Sequence, residues 1–112
     1  MAGRIERGEV RLYQFSAPDK ARPVLVLTRA SAIGYLSRIT VAPITSAIRG
    51  VPSEVVVGPE DGMKHPSAIN LHNVVTVPKS NIGRRVAHLG DGRMREVCRA
   101  LAFSLGCSDN AE

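Results

Sequence analysis

Residues 23–28 read PVLVLT, a proline followed by four aliphatic residues and a threonine. An apolar run this short, with no polar residue on either alternate face, is the pattern of a strand covered on both sides. Proline is tolerated at its first position. A strand of that kind needs neighbours on both edges, so the fold is organised around it. Upstream, Val10 and Leu12 alternate with Arg11 and Tyr13 in Glu9–Phe15, the period of a half-buried strand. Ser16–Ala21 is the loop between them, with Pro18 and Asp19 as turn residues. Downstream, Arg29–Ser37 is an irregular connection with a helical turn broken at Gly34. Arg38–Thr45 (RITVAPIT) alternates again until Pro43 removes an amide donor, as at a strand end or bulge. Ser46–Pro52 is a basic loop around Arg49 and Gly50, and Ser53–Val57 (SEVVV) is a fourth strand. Pro59, Asp61-Gly62 and Pro66 make Gly58–Pro66 a turn region. Ala68–Asn73 and Val74–Val77 supply one or two more short strands, closed by Pro78.

Beyond Pro78 the chain has no proline, and its period changes. Met94, Val97, Cys98, Leu101, Ala102 and Leu105 fall on one helical face, with Asp91 as the expected N-cap and Gly106 as the stop. Arg93, Arg95 and Arg99 project elsewhere. The expected architecture is mainly β with one helix: five to seven short antiparallel strands in a small bent sheet or barrel, covered by the C-terminal helix. Pattern alone leaves SH3-like, OB-like and other small barrels open. All 112 residues are read as one domain, with a core over about residues 7–106 and a frayed tail over 107–112.

Composition narrows the function classes. The chain is 44% hydrophobic and 22% charged, a globular balance. No stretch approaches the ~18 apolar residues of a membrane helix, and MAGRIERGEVRL lacks the apolar core of a leader, so a cytoplasmic protein without membrane contact is expected. Fifteen Lys and Arg against ten Asp and Glu give a net charge of +5. Twelve of the cations are arginine, whose planar fork can pair two phosphate oxygens. That charge favours a nucleic acid or an acidic protein segment as partner, and it equally fits a merely basic, soluble surface. Cys98 and Cys107 are too few for a disulfide framework; on one helix they would stand about 13 Å apart, beyond bridging. His65, His72 and His88 are scattered, without a Cys-x-x-Cys or His-x-x-x-His pair, so neither a metal nor any other cofactor is expected.

Five stretches, taken in order, carry something more specific: RGEVRLYQF (Arg7–Phe15), KARPVLVLT (Lys20–Thr28), VAPITS (Val41–Ser46), SEVVV (Ser53–Val57) and AINLHNVVTVPKSNIGR (Ala68–Arg84). In this spacing they resemble the MazF/PemK family of toxin endoribonucleases, over roughly residues 7 to 106. The resemblance implies an SH3-like barrel that dimerises and cuts single-stranded RNA at short sequence motifs without a metal. In that reaction the ribose 2′-hydroxyl attacks its own phosphate and leaves a cyclic phosphate and a 5′-hydroxyl. It also implies an antitoxin partner whose acidic, disordered segment wraps the RNA-binding groove. Gyrase-directed toxins of the CcdB type share the barrel but rely on a C-terminal tryptophan, and this chain has none. A barrel that binds RNA without cutting it is the alternative of a different class.

The resemblance implies a role for particular residues, and their chemistry agrees. Arg22 matches the family's arginine before the R-P-V strand; a fixed guanidinium suits the charge that builds on five-coordinate phosphorus. Thr45 matches the catalytic threonine of P-x-T-S, and Ser46 beside it is a candidate phosphate contact. Where some relatives carry an acidic residue followed by Gln or Asn, this chain has His72 followed by Asn73. A neutral imidazole can take the 2′-proton, or the ring can stack on a base or pack beside the barrel. Lys20, Arg49, Lys64 and His65 fall in three loops that would line an RNA groove if they share a face.

Overall fold

The computed structural model describes residues 4–16 and 20–107. The turn residues Pro18 and Asp19 and the tail 108–112 lie outside the described residues. The strands are β1 (Glu9–Tyr13), β2 (Arg22–Val26), β3 (Arg38–Thr45), β4 (Glu54–Val57), β5 (Ser67–Asn70), β6 (Val75–Pro78) and β7 (Arg85–His88). Two α-helices accompany them, α1 (Ala30–Ile33) and α2 (Asp91–Leu105). The order across the sheet is β4-β5-β3-β2-β1-β7, with β6 also paired to β3, and every pairing is antiparallel. This is the curled small barrel with a C-terminal helix expected from the sequence.

β2 lies inside the sheet between β1 and β3, and its alternate side chains enter two separate cores. Leu25 and Leu27 point into a core with Val10, Ile44, Val57, Ile69 and the α2 residues Met94, Val97 and Ala100. Val24 and Val26 point the other way, into a core with Tyr13, Ile33, Ile39, Val41, Val77 and Ile82. The apolar run of residues 23–28 is the one-dimensional trace of this two-sided burial.

Pro43 is neither a strand end nor a defect. β3 pairs along one edge with β2, and along the other with β6 (Val41↔Val75) and then β5 (Ile44↔Ile69). The chain spends six residues between Ile69 and Val75 where β3 spends three, and the extra residues make the turn after β5, with Leu71 buried in the core. Thr40 turns its backbone groups toward β2: its carbonyl accepts from Leu27 N–H, and its N–H donates to Thr28 Oγ1. Direction alternates along a strand, so position 43 faces the other edge, at the changeover between the pairing with β6, which ends at Val41, and that with β5, which starts at Ile44.

Three expectations change. β7 has no counterpart in the sequence reading: its exposed Arg85 and His88 flank half-buried Val86 and Ala87, and backbone pairing with β1 forms it. It follows Gly83, whose N–H donates to Leu12 O at 2.8 Å; a Cβ at Gly83 would stand 2.8 Å from that same oxygen, so only glycine permits the approach. On α2 the N-cap is Gly90, with Asp91 as the first helical residue. The buried stripe is Met94, Val97 and Ala100, on the helix that lies against β4, while Cys98 and Leu105 are exposed. Finally, Arg11 is not an outward-facing polar residue of β1. It is 3% exposed and paired with Glu9, also 3% exposed.

Candidate functional site

The antiparallel register collects several of the expected site residues at one end of the sheet. Arg22 opens β2, exposed, opposite Tyr13 of β1. Thr45 closes β3, half-buried, opposite Ala68 of β5. The β2–β3 ladder runs Val26↔Val41, Leu25↔Ala42, Val24↔Pro43, and continuing that count sets Arg22 opposite Thr45. Exposed Ser46 follows Thr45, and exposed Lys20 precedes Arg22 by two positions. Exposed Lys64 and His65 lead into β5 at the same end, where Ser67 Oγ donates to the His65 carbonyl at 3.2 Å.

The hydroxyl of Thr45 has a defined orientation. Its Oγ1 accepts from the Ala47 N–H at 3.1 Å, which leaves its own hydrogen free for an outside acceptor. A donor hydroxyl and a guanidinium without an acidic partner among the described residues, at neighbouring strand ends, can serve one phosphate.

His72 and Asn73 stand elsewhere. They occupy the turn between β5 and β6, exposed, and His72 is four positions beyond Ala68, the partner of Thr45. At a strand rise of about 3.3 Å per residue, that is a path of roughly 13 Å. His72 thus lies in the turn beyond the end of β5, whereas Thr45 closes β3. The imidazole has a holder: Ser53 Oγ lies 2.6 Å from His72 Nδ1, which leaves Nε2 facing outward. Beside it Asn70, the last residue of β5, buries its side-chain oxygen without a donor.

The loop 46–52 joins these two places, since it leaves β3 at Thr45 and enters β4 beside Ser53. Arg49 sits on it, exposed. Glu54 fixes the loop: its Oε1 accepts from the N–H groups of both Arg49 (3.1 Å) and Gly50 (3.0 Å). Gly50 has φ +74°, a left-handed conformation that glycine adopts without steric cost as the chain turns past these two N–H groups. Sequence reasoning missed Ser53 and Glu54, because SEVVV carries only a strand signal, while the Ser53 contact with His72 needs the β4–β5 pairing and the Glu54 contact needs the loop before it to fold back.

Elsewhere, a broad concavity of 1130 Å³, lined in part by Arg4, Arg7, Ile33 and Lys79, lies at the opposite end of the sheet from Arg22 and Thr45. Glu6, Glu9 and His88 come within 4.8 Å of one another. Glu9, however, is held by Arg11, with Arg85 3.6 Å away, and these cations oppose a bound metal. Among the described residues no helix is long and apolar enough to cross a membrane.

Residues 6–105 match the family described as PemK-like, MazF-like toxins of type II toxin-antitoxin systems. The chain is 43% identical over 103 residues to a probable endoribonuclease MazF5 of Mycobacterium tuberculosis, covering 91% of this chain and 94% of that protein. It is 44% identical over 71 residues to endoribonuclease MazF3 of the same species, covering 63% and 69%. Among solved structures, M. tuberculosis toxin MazF-mt6 aligns with a TM-score of 0.81 at 33% identity, over 89% of this chain and 98% of that one. An endoribonuclease from a mycobacterial species, solved with its cognate antitoxin, aligns at 0.84 with 23% identity over 94% and 98%, a likeness of fold.

Proposed function

The chain belongs to the PemK-like, MazF-like toxins of type II toxin-antitoxin systems and is an endoribonuclease, and from that premise we propose that it cuts single-stranded RNA at a short sequence motif, without a metal, with Arg22 and Thr45 at the attacked phosphate. The observation that supports this reading is the β2–β3 register, which sets an exposed arginine opposite a threonine with a free hydroxyl hydrogen.

In the proposed reaction the 2′-oxygen forms a bond to phosphorus as the bond to the 5′-oxygen breaks. The products are a 2′,3′-cyclic phosphate and a 5′-hydroxyl, the proton of the 2′-hydroxyl leaving to a base and the 5′-oxygen gaining one. Negative charge grows on the non-bridging oxygens, where Arg22 supplies a cation and Thr45 a donor. His72, held by Ser53, meets a nucleotide beside the cut together with Asn73. Lys20, Ser46, Arg49, Lys64 and His65 carry the flanking backbone. The toxin acts in the cytoplasm as a homodimer, and a cognate antitoxin with an acidic segment restrains it by occupying the same cationic surface.

The test uses a long, weakly structured RNA in excess EDTA, with fragment ends mapped at nucleotide resolution. Discrete cuts with cyclic-phosphate ends are expected, and Arg22→Ala and Thr45→Ala should each abolish them while remaining folded. Full cutting by both variants overturns the site. Intact RNA that is nonetheless bound by the unaltered protein overturns the proposed reaction.

A further inference from the structure

We propose that Glu54 is a positioning residue for RNA binding, its carboxylate fixing the loop 46–52 so that Arg49 is presented beside the turn that carries His72. The proposal rests on the reading of Arg49 as an RNA contact. Glu54 Oε1 takes two consecutive N–H groups, those of Arg49 and Gly50, at 3.1 and 3.0 Å. The Glu54 N–H also donates to Val51 O at 3.0 Å, so both ends of the residue close the same loop. The residue before it, Ser53, holds His72 through its hydroxyl, and its carbonyl accepts from Leu71 N–H. Two adjacent residues at the start of β4 thus set the loop that bears Arg49 and the turn that bears His72. A long arginine on a free loop would lose conformational entropy on meeting a phosphate; a pinned loop has already lost part of it.

Charge alone makes the opposite prediction, which is what renders the idea testable. Removing an acidic residue from an RNA-binding surface should tighten binding, since it removes repulsion. Positioning predicts that binding weakens. The probe is a fluorescent random-sequence oligonucleotide carrying 2′-O-methyl groups, which cannot undergo internal attack, so affinity is read apart from cutting. Its anisotropy is followed at several salt concentrations for the intact chain and for E54A, E54D, E54Q, R49A and E54A/R49A, with thermal melts to establish folding.

E54A should bind about tenfold more weakly, as expected when one charged hydrogen-bonded contact is lost. Its salt slope should flatten by about 0.7, as for R49A, the value for one phosphate contact on a single strand. E54A/R49A should be no weaker than R49A alone, because the two residues act through one contact. E54Q keeps the acceptor and should recover most of the loss. E54D keeps the charge but shortens the reach and should weaken binding, which keeps the test open if E54A fails to fold. Unchanged or tighter binding by E54A and E54D, or losses that add in the double variant, overturns the role of Glu54. Failure of the intact chain to bind overturns the RNA reading and the proposal together.

Discussion

Arg11 reads from the sequence as the solvent-facing residue of an alternating strand, yet it is the one fully buried Lys or Arg among the described residues. Its Nε and Nη2 meet Glu9 Oε1 at 3.0 and 2.8 Å, Nη1 donates to Gly83 O and Nη2 to Arg4 O. One guanidinium thereby ties β1 to the residues before it and to the entry of β7. Burial favours the neutral acid of Glu9, but the Glu6 N–H and the charges of Arg11 and Arg85 outweigh it and hold the carboxyl below its ordinary range. Glu9→Gln removes the countercharge and leaves a buried guanidinium unbalanced, which should cost about 3–5 kcal/mol in urea unfolding. Replacing Glu9 and Arg11 together with apolar residues of similar size should cost much less, because no charge is then stranded.

Among the elements, α2 is held to the body by its apolar stripe and by one arginine. Arg93 in its first turn meets Asp61 with a forked pair of bonds, Nε to Oδ1 at 3.0 Å and Nη2 to Oδ2 at 3.2 Å. The same guanidinium reaches Glu96 at 3.1 Å and Glu60 at 3.4 Å. Asp61 belongs to the short 3-10 turn after β4 and also accepts the Gly58 N–H, so the clamp joins helix, turn and strand end. Arg93→Ala should cost about 1–3 kcal/mol, seen as a melting temperature lower by several degrees. Arg93→Lys should restore only part of that, since an ammonium cannot fork to both carboxylate oxygens. Arg93 is not among the residues proposed to meet RNA, so cutting by the folded fraction should persist.

For the molecule as a whole, Glu9 and Asp61 set how stability responds to acid. Burial would raise the carboxyl of Asp61, but the Arg93 and Gly58 hydrogen bonds and the Arg93 charge carry it below its ordinary value; Asp61 in turn raises Arg93. A carboxyl lowered in the folded state contributes its stability above the unfolded value of about 4 and loses it as pH falls through the folded value. Unfolding by urea at pH 7, 5 and 3 should show little loss between the first two and a steep loss below about pH 4. Arg93→Ala should make that acid loss shallower, because Asp61 then titrates nearer its unfolded value.

Much of this architecture was legible in the residues. The apolar run of residues 23–28 marks a doubly covered strand, alternation marks β1 and β3, and a change of period marks α2. The stretches around Arg22 and Thr45 point to their family because they are contiguous in the chain. The tertiary structure alone decided the rest: the pairing that makes a strand of Arg85–His88, the change of partner along β3 at Pro43, the burial of Arg11 against Glu9, the contact of Ser53 with His72, and the grip of Glu54 on the Arg49 loop. Each of these is a contact between distant segments or a backbone hydrogen bond. Side-chain periodicity records which face of an element is covered, and it carries no record of what covers it.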